Sequence, residues 1–506
     1  MEIFLHFVLV LLGALTILVL IQAQDQSGFI SIDCGIPENS NYSDNITSIN
    51  YISDAEFIRT GVRMSIAPAE KITHQQQLHF VRSFPSGVRN CYRINVNMDI
   101  QYLIRATFYY GNYDNLNDPP QFDLHFGPNV WDTVKFTNLS RTTIKEIIYT
   151  PSLDYIEPCL VNTGNGTPFI SVIELRTLNN SNDHPTYSAS PLSLVERFDI
   201  GSTTGKGCRY KDDVHDRMWS PYELSSDWRR LSTSLNSDDL DQNYYKLPAI
   251  VMSTAVTPVN ASAPLQFHLH QGNVYEQYYI IMHFNEVEEL AENETRSFNI
   301  TVNGKFLYGP VIPVYRSVDT FFSRKPLTGA KRYKISLFRT EDSTLPPILN
   351  AFEFYKLNDI SGFDSLQDDV DTITNIKNAY GVERNWQGDP CYPEAYMWEG
   401  LNCSMHYLIG GPRILSLDLS NNSLNGPLPD SLMQLQSLKV LNVGKNQLRG
   451  IVPTGLLERS KNGSLSLRYF LSSKLQICQF LLFVYHSFEN VDPHPSCQYM
   501  HLIYIA

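Results

Sequence analysis

YLIRATFYYGNYDNLNDPPQFDLHFG, residues 102–127, places two apolar runs of β-forming residues around a polar loop rich in tyrosine. The pattern returns as YYIIMHFNEVEELAENETRSFNITVNG, residues 278–304. Phe122 and Phe298 lie 176 residues apart, as do Leu124 and Ile300, and Phe126 and Val302. A second echo follows: PFISVIEL at 168–175 matches PPILNAFEF at 346–354, with Glu174 and Glu353 179 residues apart. Two offsets this close, with matching chemistry, indicate a duplication and hence two similar β units.

Outward from these echoes, the first unit opens with the alternating GFISIDCG from Gly28. It runs through FPSGVRNCYRINV at 84–96 and a Gly-bearing turn, VNTGNGTP at 161–168. Short strands between regular turn signals predict a β-sandwich or jelly roll. The polar, proline-bearing NNSNDHPTYSASPL at 179–192 reads as a junction. The second unit starts at Ser193 and ends near Lys356. Its GSTTGKG is not a phosphate loop, because the glycine spacing is short and Gly207 stands where a Ser or Thr would hold magnesium. Asp212, Asp213, Asp216 and Arg217 read as a salt-bridged loop that fixes the packing of Trp219.

The chain has 506 residues, enough for about three domains, and 29 tyrosines and 26 phenylalanines that favour half-buried β faces. Its net charge of −13 argues against nucleic acid, since no basic stripe is present to neutralise phosphates. Residues 1–23 read as a secretory signal peptide, with an apolar run from Phe7 to Ile21 and a small Ala23 before polar residues. In the secretory pathway the eight cysteines are disulfide candidates rather than metal ligands. Cys391 and Cys403 form the nearest pair, whereas Cys34, Cys91, Cys159 and Cys208 allow three pairings. Eleven sequons, at Asn41, Asn45, Asn138, Asn165, Asn179, Asn260, Asn293, Asn299, Asn402, Asn421 and Asn462, predict a glycosylated surface.

After the second unit, Val370, Ile373, Ile376 and Tyr380 recur at helical spacing, with acids at the start and Gly381 as a stop. Then Ile414, Leu417, Leu419, Asn422, Leu424, Gly426, Leu428, Pro429 and Leu432 repeat 24 residues later. This is the frame of a leucine-rich repeat, in which leucines fill each coil and asparagine satisfies the backbone at the bend. Two coils offer little concave surface and suit a spacer. The period breaks after Leu457, where Arg459 and Asn462 replace leucines. The tail from Arg468 holds no apolar run near the roughly 20 residues of a membrane helix.

The motifs SIDCG (31–35), FPSGVRNCY (84–92), ATFYYGNYD (106–114), RYKDDVHDRMW (209–219), LPPILNAFEFY (345–355) and WQGDPC, with the repeats, resemble one family. The chain is similar to the ectodomain of plant malectin-like leucine-rich-repeat receptor kinases. The resemblance implies a mainly β fold: two tandem malectin-like β-sandwiches of jelly-roll type, then a short leucine-rich-repeat solenoid. The expected limits are 28–178 and 193–356 for the sandwiches, 357–412 for a linker helix and Cys-paired cap, 413–460 for two repeats, and 468–506 for an atypical tail. The sequence shows no Gly-rich ATP loop, HRD or DFG, so it reads as an ectodomain-like, truncated product with membrane attachment only through a missing helix or an uncleaved leader.

Malectin's sugar site implies a counterpart at Tyr109, Tyr110, Tyr113 and Asp114, where rings would stack on sugar faces and the carboxylate would accept hydroxyls. Strand alternation buries one of Tyr109 and Tyr110. Glu286, Glu288 and Glu289 read as a solvated acidic turn rather than a glycosidase pair. No nucleophile–histidine motif, metal set or cofactor motif is present. The expected function is extracellular recognition of a cell-wall glycan, a peptide or a co-receptor ectodomain, with a soluble carbohydrate-binding or decoy protein as the alternative.

Overall fold

The computed structural model describes residues 26–178, 190–270, 273–358, 364–382, 384–404 and 411–469. The leader, Asn179, Cys478, Cys497 and the tail beyond Tyr469 lie outside the described residues.

The first half is built on Phe29–Asp33 (β1), Arg89–Cys91 (β2), Gln101–Phe108 (β3), Gln121–Phe126 (β4), Asn129–Val134 (β5), Thr143–Tyr149 (β6), Pro158–Asn165 (β7) and Val172–Leu178 (β8). The second uses Leu192–Asp199 (β9), Leu265–His270 (β10), Tyr278–Phe284 (β11), Phe298–Val302 (β12), Lys305–Val311 (β13), Asp319–Phe322 (β14), Arg332–Arg339 (β15) and Ala351–Leu357 (β16). One long sheet carries the run β1-β8-β3-β6-β9-β16-β11-β14. Two four-stranded sheets, β5-β4-β7-β2 and β10-β15-β12-β13, cover its two halves and complete the sandwiches. The halves are fused where β6 pairs with β9, Ile148 opposite Leu192.

The duplication is visible in the register. Arg105 of β3 pairs with Glu174 of β8, and Ile281 of β11 pairs with Glu353 of β16. The offsets of 176 and 179 carry the first pair onto the second. Alternation along β3 sends Tyr102, Ile104, Ala106 and Phe108 into the first core. In β16, Phe352 and Phe354 enter the second core. The opposite face of the long sheet holds Leu103, Ile148, Leu192 and Tyr355 at the seam.

After the sandwiches, helix α1 (Gln367–Tyr380) buries Val370, Ile373 and Ile376 and stops at Gly381, whose φ of +57° is left-handed. It caps the repeats rather than linking modules. Asp369 accepts from Arg413 Nε and Nη2, both at 3.0 Å, and from the Ile414 amide at 2.9 Å. Trp386 and Trp398 stack at 5.0 Å beside the bonded Cys391 and Cys403. Strands Leu401–Ser404 (β17), Arg413–Asp418 (β18), Val440–Asn442 (β19) and Ser466–Arg468 (β20) form one ladder. Asn446 donates to the Leu419 carbonyl at 2.8 Å and accepts from the Asn422 and Leu424 amides, which satisfies the bend.

The repeats do not end where the sequence pattern breaks. β20 pairs in parallel with β19, Leu467 opposite Leu441, so a third coil begins 26 residues after the second. Helix α2 (Thr454–Lys461) takes up the two extra residues. Its Arg459 donates to the Leu435 and Gln436 carbonyls, and Leu465 takes the inward place. An arginine replaces a leucine here because its guanidinium closes open backbone acceptors of the coil below.

Candidate ligand-binding surfaces

The four residues of the expected sugar site share one corner, but their rings are not available for stacking. The chain leaves β3 at Phe108 and turns at Gly111, whose φ is +47°. Both tyrosines of the pair therefore pack inward: Tyr109 is 0% exposed, Tyr110 1% and Tyr113 5%. Tyr109 stacks on His74 at 4.1 Å and donates to Glu70 at 2.5 Å. Tyr110 and Tyr113 pack edge to face with each other and tilted against Phe169. The Asp114 carboxylate is occupied by the Tyr110 hydroxyl at 2.5 Å and the Leu116 amide at 3.1 Å. The loop closes on itself, with Asn112, Asn115 and Asn117 at positive φ.

The acidic turn of the second copy is also not solvated as expected. Glu286 is 1% exposed and pairs with Arg296 at 2.6 Å, which reaches Glu288 at 2.7 Å. Arg296 is itself buried, so burial of the carboxylate is compensated in place. Glu289 remains exposed.

The back of the long sheet carries an ionic layer that sequence spacing did not reveal. Arg105 bonds Glu146 at 2.9 Å, Glu174 at 3.0 Å and Asp216 at 3.3 Å. Arg176 and Arg209 each pair with Glu174 and Asp216. Arg197 bridges the halves, lying 2.8 Å from Glu146 and 2.7 Å from Glu353. Four arginines thus face four carboxylates. The arginines depress Glu174 well below the usual carboxylate range and Asp216 to about 2, against the opposing effect of burial. His283, the histidine of the second copy, bonds Glu353 at 3.2 Å and Thr320 at 2.9 Å; burial lowers its pKa. The available signal was charged residues inside apolar strands, as in IRATF, IELR and VERF. RYKDDVHDRMW lies over this layer, and Asp213 accepts from Arg217 Nε and Trp219 Nε1, both at 2.8 Å.

Cys91 and Cys159, opposite each other on β2 and β7, are bonded, while Cys34 and Cys208 are buried free thiols. Of the sequon asparagines described, Asn41, Asn45, Asn138, Asn165, Asn260, Asn293, Asn402, Asn421 and Asn462 are exposed, and Asn299 is half-buried in β12.

A cleft of about 420 Å³ lies where the first sandwich meets the repeat cap. Thr60, Val62, Ser86 and Asn90 line one wall, and Arg384 and Gln387 the other. Residues some 300 positions apart meet here, so no local motif could announce it. Arg89 ties the walls, donating to the Gly127 carbonyl at 2.8 Å and the Tyr392 carbonyl at 3.4 Å. Gly388 is required against it, since a Cβ there would lie 2.6 Å from the guanidinium carbon.

The model of the Malectin-like domain matches residues 32–357. The chain belongs to the malectin-like family. A Leucine Rich Repeat model matches residues 413–435 behind the malectin-like part. A "Probable LRR receptor-like serine/threonine-protein kinase" of Arabidopsis thaliana is 44% identical over 445 residues, covering 86% of this chain and 51% of its own length. The LRR receptor-like serine/threonine-protein kinase IOS1 of the same plant is 43% identical, covering 86% and 48%. This malectin-like chain spans about half the length of the curated relatives it matches. Among solved structures, the ANX2 ectodomain of Arabidopsis thaliana superposes with a TM-score of 0.54 at 19% identity, over 66% of this chain and 97% of that one. The complex of plant peptide RALF23 with FER and LLG2 gives a TM-score of 0.53 at 18% identity, over 66% and 96%.

Proposed function

We propose that this chain is the extracellular recognition part of a receptor-like protein, binding a peptide or another receptor's ectodomain and doing no chemistry itself. The reading is supported by the malectin-like match over residues 32–357 in a chain 44% identical to a receptor-like kinase. The peptide RALF23 and the protein LLG2 in the neighbouring complex favour this class of ligand over a cell-wall glycan. So does the burial of Tyr109, Tyr110 and Tyr113, which removes the stacking platform a sugar would need. The secretory pathway and cell surface are the matching location. A soluble carbohydrate-binding or decoy protein is the second reading. The test is to immobilise the secreted full chain and present cell-wall oligosaccharides, secreted peptides and soluble receptor ectodomains in parallel. Saturable binding of a peptide or ectodomain is expected. Binding confined to oligosaccharides selects the second reading, and turnover of any of them removes the non-catalytic one.

A further inference from the structure

The cleft between the first sandwich and the repeat cap has two features that the fold does not use. Asn90 is 1% exposed and donates Nδ2 to the Ser86 carbonyl at 3.1 Å, but its Oδ1 has no partner among the described residues. Thr60 Oγ1, on the same wall, is likewise buried and unpartnered. A buried acceptor left without a donor is unfavourable, so the fold leaves room for a ligand group that donates.

The second feature is a sheet edge. Val62, at the mouth of the cleft, begins the strand Val62–Ser65, the outer member of a three-stranded sheet. Its inner side pairs with Phe80–Ser83, and the Ile66 amide continues that ladder to the His79 carbonyl at 3.1 Å. Alternation then turns the N–H and C=O groups of Arg63 and Ser65 outward. Among the described residues no strand pairs with that side. Val62, Arg63 and Ser65 are exposed, so the edge stands open to solvent.

The charge at this edge runs against that of the whole chain. Net charge is −13, yet Arg59 and Arg63 are exposed beside the cleft and Arg384 lines it. Arg384 donates to the carbonyls of Glu399 and Asp418 and to Asn422 Oδ1, not to a carboxylate. Against the opposing effect of burial, hydrogen bonds from Ser420 and Asn442 and then the charge of Arg384 hold Asp418 below the usual carboxylate range. Among the described residues no aromatic ring lines the cleft. An open strand edge, unfilled acceptors and local positive charge suit a polypeptide better than a sugar.

We propose that this cleft and the Val62–Ser65 edge bind an extended acidic peptide, which adds as a strand beside Arg63 and Ser65 and leads into the cleft toward Asn90 and Arg384. Backbone groups of the peptide pair with the open edge, a peptide or side-chain N–H fills Asn90 Oδ1, and the acidic side chains face the arginines. The inference rests on the recognition reading and narrows its ligand to one chemical class and one site.

The probe is a synthetic library of random octapeptides with free carboxyl ends, incubated with the secreted full chain and read by mass spectrometry. Enrichment of Asp- and Glu-bearing peptides is expected. Ser65→Pro removes an outward N–H while sparing the inner ladder, and it should weaken the enriched peptides at least tenfold. Arg63→Glu, at an exposed position, should do the same with an unchanged melting temperature, and Arg63→Lys should restore binding. Failure to enrich peptides, enrichment without acidic residues, or equal binding by Ser65→Pro and Arg63→Glu overturns the proposal. If after such a failure receptor ectodomains still bind the same chain, the site falls while the broader recognition reading survives; binding of oligosaccharides alone removes both.

Discussion

Arg105 has no water to fall back on. Among the described residues its charge is balanced by Glu146, Glu174 and Asp216, and Arg105→Ala leaves a surplus of buried negative charge among them. Breaking one member of such a buried set costs roughly 3–5 kcal/mol, so equilibrium urea unfolding of this variant should show a loss of that order. Arg63→Ala, at the exposed edge, is expected to fall within about 0.5 kcal/mol of the parent. At the tyrosine corner the same reasoning applies to apolar surface. Tyr110→Ala empties a site packed by Tyr113 and Phe169 and should cost about 3–5 kcal/mol. A lower denaturant midpoint with unchanged binding by folded protein is the expected result; sugar binding that disappears at full stability would return the corner to the ligand. At this scale the sequence was least legible. Alternation required one of Tyr109 and Tyr110 to face out, but it holds only within a strand, and β3 ends one residue earlier. Glu286 was misread for a related reason: its partner Arg296 lies ten residues on, across a loop whose closure no local pattern encodes.

Elements were more legible, because periodicity integrates over many residues. The two apolar runs of the opening stretch are β3 and β4, and their later copies are β11 and β12, in matching sheets. Helix α1 followed from four apolar positions and a terminal glycine. The third repeat was missed because a strict 24-residue frame cannot see a coil lengthened by two. The cap is where an element's stability can be tested alone. Cys391 and Cys403 close a short loop around stacked Trp386 and Trp398, which cover one end of a solenoid of few coils. Replacing both cysteines by serine should destabilise the repeat module by roughly 2–5 kcal/mol. The Cys91–Cys159 bond and the sandwich cores stay intact in that variant. Thermal unfolding should therefore split, with an early step in residues 364–469 located by hydrogen exchange and a later step unchanged. One shifted but undivided transition would instead mean that cap and sandwiches unfold as a unit.

The whole molecule depends on how the sandwich pair meets the repeat cap, and that junction is lined with acids. Asp364 and Asp389 come from the cap side and Glu157 from the first sandwich. Ser365 binds Asp389 through its amide and hydroxyl, both at 2.6 Å, and Glu157 pairs with Arg93 at 3.4 Å. Burial first, then the charges of Asp389 and Glu157, raise Asp364 to about 7, with Arg89 opposing. An unfolded aspartate titrates near about 4, so between pH 4 and 7 the folded chain holds the extra proton. Asp364 therefore costs stability progressively as pH rises through this window, and the full cost is present above pH 7. Other groups overlap. Asp199, raised to about 6 chiefly by burial, acts in the same direction. His125, lowered to about 4 by burial and then by Arg89, acts in the opposite one, because its unfolded form binds more protons up to about pH 6.5. Glu174 and Asp216 are depressed, so their contribution is complete above about pH 4 and fades only as pH falls toward 2. The parent's melting curve alone thus mixes several slopes, and the difference from Asp364→Asn isolates one. The variant should match the parent below about pH 4, exceed it by a margin that grows between about pH 4 and 7, and hold that margin above pH 7, because the amide keeps the uncharged form that the junction favours. A margin constant across that range would place the Asp364 carboxyl outside the titrating set and leave the meeting of sandwich and cap insensitive to pH at this point.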